Sequence, residues 1–387
     1  MLIINTLSSG QVLKFSSFGF DTTRIFNVMA KARRGENITI GVLGGSITQG
    51  YAASSEANRW ANLMTDWWKA TFPKSKVTLV NAGFGGTGSD IGAFRVKTDL
   101  LKFKPDFVVV EFSVNDVEGI FCSQTMEGLL RQILNDKNYP GVMMLILKEV
   151  SGKTALKSHK PVAEYYKIPV VSFAELIDSQ VIKDNIKLAS LFLTDGLHPV
   201  DSGMKYIAKL IIDELNRIYI NLPPVTRIKE INSALPTPKF SEVYAHTYKY
   251  DNTNLAPLFN KGWQKDATGW FSDKVDSELT FSVDGNIIAI LYSRFKEAKR
   301  GKAEVWVDNG QHKIFDAYFS ENWGPATVFG LVADNLDDGV HTLHVRIINE
   351  QSNGSTGHYF QLLNILKAGH FKDETSNADP LKKDFKK

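Results

Sequence analysis

An apolar run that ends in two glycines and a serine stands near the start of the chain: Ile38-Thr39-Ile40-Gly41-Val42-Leu43-Gly44-Gly45-Ser46-Ile47-Thr48. Its first six residues are mostly β-branched and apolar, which is typical of a buried strand. The glycines then allow a sharp turn where a side chain would collide. Ser46 would thus lie at the carboxyl end of a strand, where open α/β sheets place their ligands. The alternative is an ordinary turn, since glycine and serine dominate turns.

Short apolar runs alternate with amphipathic segments from Ile38 to about Ile220. This alternation predicts a parallel sheet with helices on both faces. Right-handed crossovers would bring the carboxyl ends of its strands to one edge. The predicted strands are Ile38–Leu43, Val77–Val80, Phe107–Glu111, Val142–Leu147 and Pro169–Ser172. The predicted helices are Trp60–Thr71, Ile91–Leu101, Thr125–Leu134, Lys153–Tyr166 and Ser202–Ile218.

The alternation of apolar runs and amphipathic segments ends at Asn221-Leu222-Pro223-Pro224. We predict a linker over residues 221–240. Beyond it, short strands of alternating or aromatic character are separated by Asp-Gly and Asn-Gly turn signals, which predicts an all-β sandwich. The predicted strands are Leu279–Val283, Ile287–Tyr292, Ala303–Val307, Lys313–Tyr318 and Thr342–Ile348. The predicted division is an N-terminal extension packing on one of the domains (1–35), an α/β domain (36–220), the linker, a sandwich (241–371) and a flexible tail (372–387).

The composition is that of a soluble globular protein, with 43% hydrophobic and 22% charged residues. A net charge of +3 gives no argument for nucleic acid binding. Cys122 is the single cysteine, which excludes an internal disulfide and a cysteine-based zinc site. No apolar run approaches the ~18 residues of a membrane span. No signal peptide is visible, so the compartment stays open, as does the oligomeric state.

Polar residues stand at four ends of predicted elements in the first domain. Ser46 follows the first strand, Asn81–Gly88 the second and Glu111–Asp116 the third, while Asp195–Pro199 precedes the last helix. The topology predicts that all four groups meet at one edge of the sheet. Together they would supply a nucleophile, a base, a residue to orient the base, and hydrogen-bond donors.

A serine hydroxyl needs a base to become a nucleophile, and His198 can supply one. Asp195, three residues earlier, can hold the imidazole in the required tautomer. Acyl transfer also needs donors for the developing oxyanion. The candidates are the backbone amides of Ser46 and Gly86 and the side-chain amide of Asn115.

Each of these residues also has an ordinary structural interpretation. His198 could be a loop histidine before a proline, Gly86 a turn glycine, and Asn115 a cap or turn residue. Asp116 is interpreted as a cap or support for its loop. No cofactor or metal ion is predicted.

One motif suggests a different function. Gly83-Phe84-Gly85-Gly86-Thr87-Gly88 fits the G-x-G-x-x-G pattern of dinucleotide-binding folds. However, it follows the second strand, and the next acidic strand end, Glu111, comes later than the expected ~20 residues. The G-x-S-x-G elbow is absent as well, which disfavours an ordinary α/β-hydrolase.

The four groups of polar residues around Ser46, Asn81–Gly88, Glu111–Asp116 and Asp195–Pro199, in this order, resemble the sequence blocks of the SGNH hydrolases, also called GDSL-type esterases. The resemblance covers residues 36–220. The resemblance implies a flavodoxin-like three-layer α/β/α domain. It makes Ser46 the nucleophile, His198 the base and Asp195 its orienting carboxylate, with Ser46, Gly86 and Asn115 forming the oxyanion hole. Gly45 stands where that family more usually has an aspartate, and the choice between Gly85 and Gly86 stays open.

The predicted sandwich more loosely resembles the jelly-roll-like β-modules that accompany bacterial carbohydrate esterases of this family. Its aromatic residues could form a sugar-stacking platform, although core packing is favoured for any single one. These residues are Trp263, Trp270, Tyr292, Trp306, Tyr318 and Trp323.

The resemblances together predict an esterase that removes O-acetyl groups from a polysaccharide or glycan. Such an acetylated carbohydrate substrate would be compatible with extracellular or periplasmic action. The alternatives are a lipase, lysophospholipase or thioesterase, an acetyltransferase, and a glycan-binding protein with an inactive hydrolase domain.

Overall fold

The computed structural model describes residues 20–222, 231 and 234–369. The predicted tail at 372–387 lies outside the described residues. So do residues 1–19 of the predicted extension and residues 223–230 and 232–233 of the predicted linker. The domain boundaries that the sequence suggests stay predictions.

A five-stranded parallel sheet forms the centre of the first domain, with the strand order β2-β1-β3-β4-β5. This is the order of flavodoxin-like folds. All five strands lie where the sequence predicts them, because strands covered on both faces form continuous apolar runs. They are β1 (Ile38–Gly44), β2 (Val77–Gly83), β3 (Phe107–Glu111), β4 (Gly141–Ile146) and β5 (Val170–Ser172).

Helices cover both faces of this sheet. One face packs against a cluster that includes Trp60, Trp68 and Ile211, and the other packs against Phe94 and Leu129. The helices are α1 (Thr23–Arg33), α2 (Ser46–Gln49), α3 (Trp60–Thr71), α4 (Ser89–Asp99), α5 (Ile120–Leu134), α6 (Leu156–Tyr165), α7 (Phe173–Lys183) and α8 (Asp201–Ile220). Within the predicted extension, α1 packs against β4 and α8 of the α/β domain.

Two antiparallel sheets form the second domain, as predicted for a β-sandwich. One has the order β13-β12-β15-β10-β7. The other has the order β14-β11-β16-β9-β8, with β6 also paired to β16. Phe281, Ile290, Val345 and Phe360 are among the residues packed between them. The strands are β6 (Thr247–Tyr250), β7 (Phe259–Lys261), β8 (Gln264–Lys265), β9 (Trp270–Ser272), β10 (Glu278–Asp284), β11 (Ile287–Arg294), β12 (Lys302–Val307), β13 (Lys313–Asp316), β14 (Ala326–Ala333), β15 (Val340–Ile348) and β16 (Phe360–Ala368).

The two domains share one apolar cluster. Leu291 of β11 and Leu366 of β16 belong to the same buried cluster as Phe94 and Leu129 of the α/β domain. The Phe329 ring of β14 packs beside Phe94, with ring centroids 6.2 Å apart. This packing holds the loop that precedes β14 next to the α/β domain.

Candidate active site

The turn after β1 presents Ser46 at the first position of the one-turn helix α2. A Cβ at Gly44 would overlap both the Thr48 side chain and the backbone oxygen of Glu111, so only glycine fits there. Gly50, with φ of 87°, closes α2 in the left-handed conformation. The strand, the glycines and the short helix thus hold Ser46 at the carboxyl edge of the sheet, where it is 7% exposed.

Ser46, His198 and Asp195 form a continuous chain of hydrogen bonds. Ser46 Oγ lies 2.8 Å from His198 Nε2, and His198 Nδ1 lies 2.7 Å from Asp195 Oδ2. Asp195 Oδ1 accepts from the backbone N–H groups of Leu197 and His198, at 2.8 and 3.0 Å. Burial acts to raise the pKa of Asp195, but these hydrogen bonds outweigh it and hold the pKa below its ordinary value. This is the arrangement that activates a serine nucleophile.

The candidate oxyanion donors border the same serine. A Cβ built on Gly45 would overlap the Asn115 carboxamide oxygen, which is buried and has no hydrogen-bond partner among the described residues. A Cβ on Gly85 would lie 3.7 Å from Ser46 Cβ. Gly86 adopts a φ of 71°, which favours glycine. The structure brings Asn115 and the glycine loop to the nucleophile, and their roles as donors stay predictions.

Asp116 links the two loops that carry these candidate donors. Its Oδ1 accepts from the backbone N–H of Ser89 at 2.8 Å, at the start of α4, and its Oδ2 lies 2.8 Å from His159 Nε2. Gly88 leaves room for the carboxylate, because a Cβ there would overlap Asp116 Oδ1. His159 is fully buried on α6. Asp116 thus supports the site from behind and is not part of the hydrogen-bond chain at Ser46.

Two supporting residues were not identified from the sequence. Buried Arg95 of α4 donates to the backbone oxygens of Ala82 and Gly44, at 2.6 and 2.9 Å, and so joins the ends of β1 and β2. Asn81 donates to the Thr48 backbone oxygen at 2.9 Å, which ties the glycine loop to α2. Asn81 lies in the group of residues Asn81–Gly88 that the sequence analysis singled out, although no role was predicted for it. Nothing in the sequence distinguishes Arg95 from a surface arginine.

A buried carboxyl group lies beneath the nucleophile helix. Glu111 is fully buried at the end of β3 and accepts from Thr48 Oγ1 at 3.2 Å and from the Ser113 N–H at 3.1 Å. Burial raises the pKa of Glu111 to about 7, against the opposing effect of these hydrogen bonds. This group can therefore change charge near neutral pH next to Thr48, two residues after Ser46.

The aromatic residues of the second domain divide into buried and exposed ones. Trp263, Trp270 and Tyr292 lie in the sandwich core, as the packing interpretation predicts. Trp306 stacks against the rings of both His312 and His344, with centroids 4.2 and 4.6 Å away.

Trp323 is different, because it is 55% exposed and lies in the loop before β14. A Cβ built on Gly86 would lie 3.6 Å from Trp323 Cζ3. The second domain therefore brings an exposed indole to the glycine loop of the candidate active site.

Within residues 20–222, 231 and 234–369, no group of three or more His, Cys, Asp and Glu side chains could hold a metal ion. No helix within those same ranges is both long and apolar enough to span a membrane.

Comparison with known proteins places this geometry in a class. Residues 42–206 match the GDSL-like lipase/acylhydrolase family. This match lies within the α/β domain, and the protein is a carboxylic ester hydrolase with an additional β-sandwich domain.

The similar proteins differ in how much of the chain they match. A two-domain esterase (CEX) active on acetylated mannans is 28% identical with a TM-score of 0.83, covering 92% of this chain and 99% of its own. Its structure with mannopentaose gives the same identity and TM-score, covering 94% of this chain and 100% of its own. Thioesterase 1/protease 1/lysophospholipase L1 of Escherichia coli (strain K12) is 28% identical over 200 residues, covering 49% of this chain and 89% of its own.

Proposed function

We propose that this esterase removes O-acetyl groups from a polysaccharide or other glycan, with Ser46 as the nucleophile. The observation that carries the proposal is the Ser46–His198–Asp195 hydrogen-bond chain, which lies beside a glycine loop that Trp323 of the second domain borders. The chain of hydrogen bonds supports ester hydrolysis, and the exposed indole supports a sugar as the carrier of the ester.

The reaction would take place in two steps. As Ser46 Oγ bonds to the acetyl carbon, its proton moves to His198 Nε2, and the carbonyl oxygen becomes an oxyanion. The Ser46 and Gly86 N–H groups and the Asn115 amide would donate to that oxyanion. The bond to the sugar oxygen then breaks, and His198 gives its proton to that oxygen. In the second step water, deprotonated by His198, attacks the acetyl group, and acetate leaves Ser46 with its proton restored.

A carbohydrate substrate is supported by the extent of one similarity. The likeness to the acetylmannan esterase spans both domains of this chain, whereas the likeness to the Escherichia coli enzyme covers about half of it. Aromatic faces pack well against the C–H surfaces of sugar rings, so an exposed indole beside the site suits a glycan. Acetylated mannan is the first substrate to test.

A second candidate is hydrolysis of lipid esters or thioesters, since the Escherichia coli relative is a thioesterase and lysophospholipase. A glycan-binding protein with an inactive hydrolase domain is disfavoured, because the hydrogen-bond chain at Ser46 is complete. Labelling with a fluorophosphonate distinguishes an active hydrolase from such a binding protein, since an inactive domain would form no adduct at Ser46.

The test measures acetate release from acetylated mannan, acetylated xylan and p-nitrophenyl esters of increasing acyl length. The Ser46→Ala and Trp323→Ala variants are compared with the unaltered protein. We expect Ser46→Ala to lose all acetate release while keeping its fold. We expect Trp323→Ala to lose activity on the polymers much more than on p-nitrophenyl acetate.

Each arm has an outcome that contradicts the proposal. Acetate release by Ser46→Ala at the normal rate would refute the mechanism. A preference for acyl chains longer than a few carbons would favour the lipid or thioester function. Equal loss on polymer and small ester in Trp323→Ala would remove the argument for sugar contact.

A further inference from the structure

We infer that Tyr51 contacts the leaving sugar, the residue of the glycan whose hydroxyl is released when Ser46 is acylated. This inference rests on the proposed function and concerns the orientation of the substrate in the site. It gives a role to an exposed residue that neither the hydrogen-bond chain nor the apolar core uses.

The backbone of Tyr51 is fixed to the nucleophile itself. Helix α2 is one turn long and ends at Gly50, whose left-handed φ of 87° reverses the chain. The N–H groups of Gly50 and Tyr51 both donate to the Ser46 backbone oxygen, at 3.0 and 3.1 Å. The position of Tyr51 relative to Ser46 is therefore set by the same short helix that presents the nucleophile.

The side chain of Tyr51 lies against the base. Its ring centroid is 4.7 Å from that of His198, at an interplanar angle of 48°. The residue is nevertheless 67% exposed, so much of its ring surface is open to solvent. An exposed aromatic ring beside a catalytic imidazole is a surface on which a ligand can pack.

The chemistry of the reaction decides which part of the substrate lies there. His198 Nε2 must pass its proton to the departing oxygen, so that oxygen has to lie within hydrogen-bonding distance of Nε2. The sugar attached to it then lies beside Tyr51. Trp323, by contrast, borders Gly86, a candidate donor to the carbonyl oxygen. Since the carbonyl and leaving oxygens are different substituents of one carbon, Trp323 and Tyr51 would lie on different sides of the ester.

The test compares two acetate esters that form the same acetyl-enzyme. An acetylated manno-oligosaccharide has a sugar leaving group, whereas vinyl acetate has a small one with no ring. We expect Tyr51→Ala to lower kcat/KM for the oligosaccharide, relative to vinyl acetate, by roughly tenfold, as for the loss of one aromatic contact. The rate of deacylation should not change, because the sugar has already left.

Matched variants define the control. Tyr51→Phe should retain most of the discrimination, since the ring and not the hydroxyl makes the contact. Tyr248→Ala, at an exposed tyrosine of β6 (45% exposed), should leave both substrates unaffected.

Two results would overturn the inference. One is an unchanged ratio of the two kcat/KM values in Tyr51→Ala, and the other is an equal fall for both esters, which would mean that Tyr51 acts on His198 alone. Failure of the unaltered protein to hydrolyse either ester would instead contradict the proposed function.

Discussion

Gly45 has a φ of −85° and a ψ of −150°, an extended conformation open to any residue. Glycine is needed there for another reason, because a Cβ would overlap the Asn115 carboxamide oxygen. That oxygen is at the end of a side chain that can rotate away. An added methyl group is therefore expected to displace the Asn115 amide while leaving the fold intact.

We predict that Gly45→Ala lowers kcat by up to about 10²-fold, the order expected for losing one oxyanion donor. The thermal midpoint should change little. In a double-mutant cycle with Asn115→Ala, the two losses should not add, because both remove the same donor. Gly339→Ala is the control, since a Cβ there has no neighbour within 4 Å. Full additivity would show that Asn115 is not the residue affected.

The position of Trp323 beside the glycine loop could not be predicted from the sequence. Trp323 is one of six aromatic residues considered together, and no local sequence pattern distinguishes it from Trp263 or Trp270. What distinguishes them is the packing of β14 against α4, a contact between residues far apart in the chain. The proximity of Ser46 to Asp195 and His198 could be predicted, because Ser46 follows a strand of a parallel sheet and the segment before the last helix reaches the same edge of that sheet.

At the scale of single elements, the ionisation of Glu111 at the end of β3 sets a pH dependence. Its pKa is about 7 in the folded chain and 4.5 without burial, so the folded state favours the protonated form. Stability is therefore complete below the unfolded value and falls as the pH rises from about 4.5 to about 7. The fall approaches about 3 kcal/mol, at 1.36 kcal/mol for each unit of pKa difference.

We predict that Glu111→Gln, neutral at every pH, gains stability relative to the unaltered protein as the pH rises. Urea unfolding at pH 4.5 and pH 8 measures this difference. The free energy of unfolding of the variant should rise relative to that of the unaltered protein by roughly 2–3 kcal/mol between the two pH values. The same difference at both pH values would mean that folding does not raise the pKa of Glu111.

The elements that sequence reasoning missed share physical causes. Helix α2 is only one turn long, and α7 begins directly where β5 ends, so neither gives a long periodic pattern. Strands β14 and β16 both pair with β11 from distant positions in the chain. Whether such segments form strands depends on pairing partners that lie far away in the sequence. The parallel strands, in contrast, can be recognised locally by their continuous apolar runs.

For the molecule as a whole, Glu127 of α5 holds the segment that leads into the second domain. Its buried carboxylate accepts from the N–H groups of Lys239, Phe240 and Ser241, at 2.6, 2.7 and 2.8 Å. It also accepts from the Tyr166 hydroxyl at 2.8 Å. A carboxylate can accept all four bonds, whereas an amide would turn its own N–H groups toward some of these donors.

We predict that Glu127→Gln lowers the free energy of unfolding by roughly 1–3 kcal/mol, the range for a buried group left unsatisfied. Activity on acetylated polymer should fall more than activity on vinyl acetate, because the position of Trp323 depends on how the domains pack. Glu350→Gln, at an exposed glutamate, is the matched control. Unchanged stability in Glu127→Gln would show that this anchor is dispensable.

The apolar cluster that joins Phe94 and Phe329 has a practical consequence for anyone who wishes to shorten or recombine this enzyme. Removing the β-sandwich would leave the α/β domain with an exposed apolar face and make it prone to aggregate in solution. A different β-domain could replace the sandwich only if the faces of α4 and α5 that pack against it were redesigned as well. The sandwich therefore cannot be removed without exposing part of the apolar core. Attempts to shorten the protein should keep both domains.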